Sequence, residues 1–184
     1  MSGPLAPVEQ FPLEPCAVKR EETEMSFQHL QWLFPILVAL HNGEEAIWLP
    51  DWSKRAERWH APIERLIFLP VAAVMTVLAF AVTWLSAASG KQTTWTYLAF
   101  GSMAVMLANV LIPHIALTVV QRSYMPGVAT AVLLNLPVLS LLVVSAIREG
   151  YVSGWKAAAY SVGVGGILLA TVRILFMTRK NPKL

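Results

Sequence analysis

The chain has 184 residues, of which 56% are hydrophobic and only 14% charged. A soluble domain of this size carries about 25% charged residues, so this composition excludes one and points to an all-α, polytopic membrane helix bundle with little mass outside the bilayer. The net charge of +3 comes from short basic stretches between apolar runs, a topology signal and not a nucleic-acid patch. The single cysteine, Cys16, excludes a disulfide framework and a cysteine-based metal site.

Residues 1–25 hold Pro4, Pro7, Pro12 and Pro15, then the mixed-charge run Lys19-Arg20-Glu21-Glu22-Thr23-Glu24. No apolar run follows an early basic cluster, so the pattern is not that of a cleavable signal peptide. A disordered tail, dispensable for folding, is expected there. Residues 26–178 read as one transmembrane domain and 179–184 as a basic tail.

The first apolar segment, about 27–49, contains the stretch that organises the rest, Leu40-His41-Asn42-Gly43-Glu44-Glu45-Ala46. Ionisable groups inside a membrane span cost several kcal/mol each unless paired, hydrated or metal-bound. On a helix His41 lies i, i+3 from Glu44 and i, i+4 from Glu45, so the three share a face within about one turn. One imidazole and two carboxylates form a ligand set for a first-row metal or a proton relay. Gly43 falls on the opposite side, where a neighbouring helix can approach. Pro35 is expected to kink the helix one turn before His41.

A polar connection follows over 50–62, where Trp52, Ala56 and Trp59 have the spacing of a short surface helix and His60 reads as a solvated loop residue. The second span, about 64–86, is apolar all round. The third, about 94–121, carries Asn109 and Pro113-His114, the proline again preceding a histidine. The fourth, about 127–147, carries Asn135 and Pro137. The fifth, about 155–177, offers Gly163-Val164-Gly165-Gly166 for close packing and carries a buried Arg173.

Five spans put the termini on opposite sides. With the C-terminus inside, the inner side holds nine basic residues (Lys54, Arg55, Arg58, Arg65, Arg122, Arg173, Arg179, Lys180, Lys183) and the outer side five (Lys19, Arg20, Lys91, Arg148, Lys156). The positive-inside rule favours that orientation. His41 and His114 then both lie roughly 11 Å inside the inner boundary, at 1.5 Å per residue. Asn135 falls at a similar depth, with Glu44, Glu45 and Arg173 nearer the interface.

His41-Asn42-Gly43-Glu44-Glu45 resembles the motif that names the HXXEE family of small bacterial membrane proteins. Asn109, His114 and Tyr124-Met125-Pro126-Gly127 with Thr130 resemble that family's second segment. The similarity spans about 30–140; it implies a multi-pass membrane fold and no particular reaction.

The residues support three functions. The first is a membrane-embedded, metal-dependent enzyme acting on a lipid-soluble or small substrate in the bacterial inner membrane. His41, Glu44, Glu45 and His114 would bind a divalent iron, manganese or zinc ion, with Glu44 and Glu45 as acid/base groups and Asn109, Asn135 and Arg173 as outer partners. The second is a proton- or ion-coupled transporter using the same groups, although no inverted repeat is visible. The third is a structural subunit. Membrane lipid is the expected surrounding partner.

Overall fold

The structure, a computed structural model, describes residues 26–56 and 62–180, with the backbone alone for residue 172 and residues 174–180. The expectations for residues 1–25, Trp59, His60 and 181–184 lie outside the described residues. Every regular element among those described is helical. A single turn, α1 (Phe27–Leu30), precedes α2 (Leu33–Arg55) and α3 (Arg65–Ser89). A third rod joins α4 (Thr94–Asn109), a π-helical stretch (Val110–Ile115) and α5 (Ala116–Gln121). A fourth joins α6 (Val128–Thr130), a second π stretch (Ala131–Asn135) and α7 (Leu136–Arg148). The last is α8 (Gly154–Lys180), which carries Arg179 and Lys180 as helix.

Among the described residues, three rods are long and apolar enough to cross a membrane: Arg65–Ser89, Thr94–Gln121 and Val128–Arg148. α2 has the length, 23 residues, but Glu44, Glu45, Asp51, Lys54 and Arg55 lower its hydropathy. The exposed faces of the apolar rods carry large residues such as Leu66, Val77, Ile112 and Leu133. Exposed apolar area on that scale is stable in hydrocarbon and a liability in water.

α4 lies at the centre, packed against α3, α7 and α8, and α2 packs on α3. Phe34, Leu37 and Val38 of α2 meet Tyr97, Phe100 and Met103 of α4 and Leu139 and Leu142 of α7 in the main core. The close α4–α8 approach is made at Gly101, where a Cβ would stand 3.0 Å from the Tyr160 carbonyl oxygen. The expected glycine run contributes less: Gly163 and Gly166 have nothing within 4 Å of a built Cβ, and Gly165 only the Val105 side chain at 3.4 Å. α8 leaves much of its circumference open, and Arg173 is exposed on it, not buried.

The prolines sort by position. Pro35 occupies the first turn of α2 and does not kink it, because the first four helical N–H groups have no intrahelical partner to lose. Pro50 does not end α2, which runs on to Arg55. The extension is held by packing: Leu49, Trp52 and Ala56 bury with Met125 against Ile63, Phe68 and Leu117, and the Ile63 N–H donates to Ser53 Oγ at 2.9 Å. The described part of the stretch read as a surface helix thus continues α2, with Trp52 and Ala56 buried and Asp51, Lys54 and Arg55 exposed. Pro113 does break its rod. The residue before a proline is driven out of the helical region, and Ile112 stands at φ −132°, ψ 115°, directly ahead of His114.

Candidate metal centre

The five-residue motif divides its work around α2. Asn42 donates to the Ala72 carbonyl at 3.1 Å and to Thr76 Oγ1 at 2.9 Å, tying α2 to α3 on the side away from the site. Gly43 is exposed, with nothing within 4 Å of a built Cβ, so no helix among the described residues approaches it. His41, Glu44 and Glu45 turn toward the third and fourth rods.

His41 (2% exposed), His114 (1%) and Glu45 (15%) converge. Glu45 Oε1 lies 3.7 Å from His41 Nε2 and 3.4 Å from His114 Nε2, and the two rings meet edge to face with centroids 4.7 Å apart. One potential ligand atom from each residue lies within 4.8 Å of the others. Hydrogen-bonded nitrogen and oxygen atoms sit about 2.7–3.2 Å apart. The observed separations exceed that range. They approach the roughly 3.0–3.4 Å expected between neighbouring ligands that each lie 2.0–2.1 Å from one ion.

Glu44, expected beside Glu45 as a ligand and acid/base group, does a different job. Its Oε1 accepts from the Gly127 N–H at 2.9 Å and from the Tyr124 hydroxyl. Its Oε2 accepts from the Thr130 N–H at 2.8 Å and the Thr130 hydroxyl at 2.6 Å. Four donors fill the roughly four lone-pair sites of a carboxylate. Gly127 is the N-cap of the fourth rod and has no side chain to cap it. A carboxylate from another helix supplies that cap, and the positive end of the helix dipole favours it there. Burial and the Glu44 carboxylate push the Tyr124 phenol up to about 12, so this loop residue remains a donor.

The same contacts fix the tautomer of His41. Thr130 Oγ1 lies 2.9 Å from His41 Nδ1, 2.6 Å from Glu44 Oε2 and 3.2 Å from the Gly127 carbonyl. The short bond to the carboxylate is the strongest of the three and takes the hydroxyl proton. His41 Nδ1–H must therefore donate to Thr130, and Nε2 presents its lone pair toward Glu45 and His114. Nε2 has no hydrogen-bond partner among the described residues. A buried lone pair fixed in this way suits a cation.

Gly127 also sets the floor. Its φ is +89°, and a Cβ there would stand 2.5 Å from His114 Cε1, 3.0 Å from His114 Nδ1 and 3.0 Å from His41 Cε1. Both imidazoles rest against a position only glycine fits. Thr130, Gly127 and Tyr124 carried no expected site role. Their signal in the sequence was a glycine between a proline and a helix start.

The remaining expected partners are not joined to the cluster by any hydrogen bond or ion pair among the described residues. Asn109 is half-buried at the end of α4. Asn135 is buried, and neither its Oδ1 nor its Nδ2 has a hydrogen-bond partner. Among the described residues Arg173 enters no ion pair; the ion pairs there join His41 and His114 to Glu45 and Lys54 to Asp51.

A family model described as "Protein of unknown function with HXXEE motif" matches residues 32–143. The chain is also 37% identical over 147 residues to the uncharacterized protein YrkK of Bacillus subtilis (strain 168), a match covering 78% of this chain and 90% of that protein. No solved structure matches it. The matched stretch contains every residue that builds the cluster, from His41 through Thr130, and the chain belongs to the HXXEE-motif family.

Proposed function

We propose that this protein is a membrane-embedded metalloprotein in which His41, Glu45 and His114 hold a divalent iron, manganese or zinc ion, and that it acts as a metal-dependent enzyme on a lipid-soluble or small substrate. One observation carries the reading: a single carboxylate oxygen faces two buried imidazole nitrogens at 3.4 and 3.7 Å, close to the spacing of neighbouring ligands around one ion. Two histidines and one carboxylate form a ligand set with open coordination positions, where a bound metal activates water, oxygen or a substrate carbonyl. The absence of cysteine from the set disfavours copper(I) and iron–sulfur chemistry.

The chain's own residues have separate tasks in this reading. His41 Nε2, His114 and Glu45 bind. Thr130 and Glu44 position His41 through Nδ1, an arrangement that raises ligand basicity. Gly127 keeps the space between the rings open. Because ligating imidazoles must be neutral, metal affinity is expected to fall as the pH is lowered.

Metal analysis of the purified full chain tests this, with its two adjacent carboxylates compared. Wild type is expected to retain close to one ion per chain. Glu45→Gln is expected to lose it, and Glu44→Gln to retain it with affinity lowered about 10- to 100-fold. Metal-free wild type, or equal retention in the two variants, would pass the cluster to the proton-carrier or helix-packing alternatives.

The three apolar rods, the exposed apolar faces and the bacterial relative support residence in a bacterial cytoplasmic membrane. We further propose five passes with the N-terminus outside, from the nine-to-five distribution of basic residues. Reporter fusions at the two ends are expected to report opposite sides. Both ends on one side would contradict this topology.

A further inference from the structure

Two adjoining clefts, of about 560 and 620 Å³, open beside the cluster at the end of α2 and share Trp52, Arg55 and Tyr124. Their walls connect directly to the site. The Tyr124 hydroxyl donates to Glu44, and Pro126, which lines the second cleft, precedes the glycine under both imidazoles.

The lining is of two kinds. Arg55 is exposed and forms no close ion pair among the described residues, although Asp51 one turn away interacts with it; the hydrogen bond of Asp51 goes to Lys54 at 3.1 Å, and Arg65 adds a further positive charge nearby. Gln121, in the wall of the first cleft, has an Nε2 with no hydrogen-bond partner among the described residues. The Arg55 guanidinium therefore borders a space whose one acidic residue among the described lining, Asp51, hydrogen-bonds Lys54, and Gln121 stands in its wall. A guanidinium binds phosphate or carboxylate in a two-point fork, and the amide adds a further donor. Ser123 and Tyr124 add hydroxyls to the lining, and Ile47 and Trp48 are exposed in the second cleft.

An apolar track leads away from this opening. Ile36, Leu40, Gly43 and Ile47 lie at i, i+4, i+7 and i+11 on α2, within about 60° of one another around the helix. All four are exposed, and nothing lies within 4 Å of a Cβ built on Gly43. The track spans roughly 16 Å along the axis at 1.5 Å per residue and runs on the face of α2 turned away from His41 and Glu45.

We propose that these clefts bind an amphiphile with an anionic head, phosphate or carboxylate, and that its hydrocarbon tail lies along the Ile36–Leu40–Gly43–Ile47 track. Arg55 and Gln121 hold the head, and Trp48 and Trp52 flank it at the membrane boundary, where indoles are favoured. That such an amphiphile is the substrate rests on the metalloenzyme reading; that it binds does not.

The test uses the purified full chain in phosphatidylcholine nanodiscs and reads tryptophan quenching by brominated phosphatidylglycerol against brominated phosphatidylcholine. Wild type is expected to be quenched preferentially by the anionic lipid. Arg55→Gln is expected to bind it about tenfold more weakly, the effect of losing one charge-assisted contact, and Arg55→Lys to restore part of the preference. Lys54→Gln, which removes one positive charge that is already paired, should keep it. Inorganic phosphate alone should not displace the lipid. Far-ultraviolet circular dichroism on the same samples shows whether each variant is folded, and their metal content is measured alongside. Equal quenching by both lipids would overturn the proposal. So would equal losses in the Arg55 and Lys54 variants, which would signal general surface charge, or displacement by inorganic phosphate, which would signal a free-anion site. Selective quenching in a wild type that holds no metal would sink the enzyme reading and leave the lipid site standing.

Discussion

Replacing His114 with alanine is expected to lower metal affinity by more than about a hundredfold. Loss of a partner that only orients a ligand costs about 10- to 100-fold, and His114 is assigned here as a ligand itself. Thr130→Val supplies the comparison, because it keeps the side-chain shape and removes the hydroxyl between Glu44 and His41 Nδ1. It should fall within the 10- to 100-fold range. Equilibrium dialysis against a buffered metal, followed by elemental analysis, separates the two. If His114 only packs helices together, its alanine variant will melt at a lower temperature with unchanged metal stoichiometry.

Gly127→Ala is expected to be nearly as damaging to metal binding while deleting no ligand. Two costs combine. An alanine held at φ +89° carries backbone strain of about 1–3 kcal/mol. Its methyl group would also stand 2.5 Å from His114 Cε1, so one or both rings must leave their positions. The double variant with His114→Ala distinguishes the two costs. Removing the imidazole relieves the clash but not the strain, so the melting-temperature losses should be less than additive, as for residues in contact. Strict additivity would mean that the glycine and the imidazole do not touch.

The two effects differ in how far the sequence foretold them. That His41 and Glu45 share a face follows from helical spacing alone, and Pro113 could be read as a break ahead of His114. The matching depth of His41 and His114 in their runs led to the expectation that they meet, and they lie in ring contact. The capping bonds of Glu44 were not legible because half of them come from backbone N–H groups at a helix start, and those carry no residue signature. Gly127 and Thr130 escaped for the same reason: their roles exist only once the fourth rod begins against α2. Pro35 and Pro50 show the limit from another side. The same residue type is harmless in a first turn and is overridden by packing near a helix end, and sequence does not say which position it occupies. Arg173 looked buried because its neighbours are apolar, but in a bilayer an apolar helix face can simply point outward.

The most direct test of the metal centre is X-ray absorption spectroscopy on purified, membrane-reconstituted wild type at the edge of whichever metal it retains. The account predicts nitrogen and oxygen ligands at about 2.0–2.2 Å, with the outer-shell scattering of two imidazoles and no sulfur. Loss of one imidazole's contribution is expected in His114→Ala loaded with excess metal. A retained metal with no imidazole scattering, or a spectrum indifferent to His114, would contradict the assignment of His41, Glu45 and His114 as its ligands.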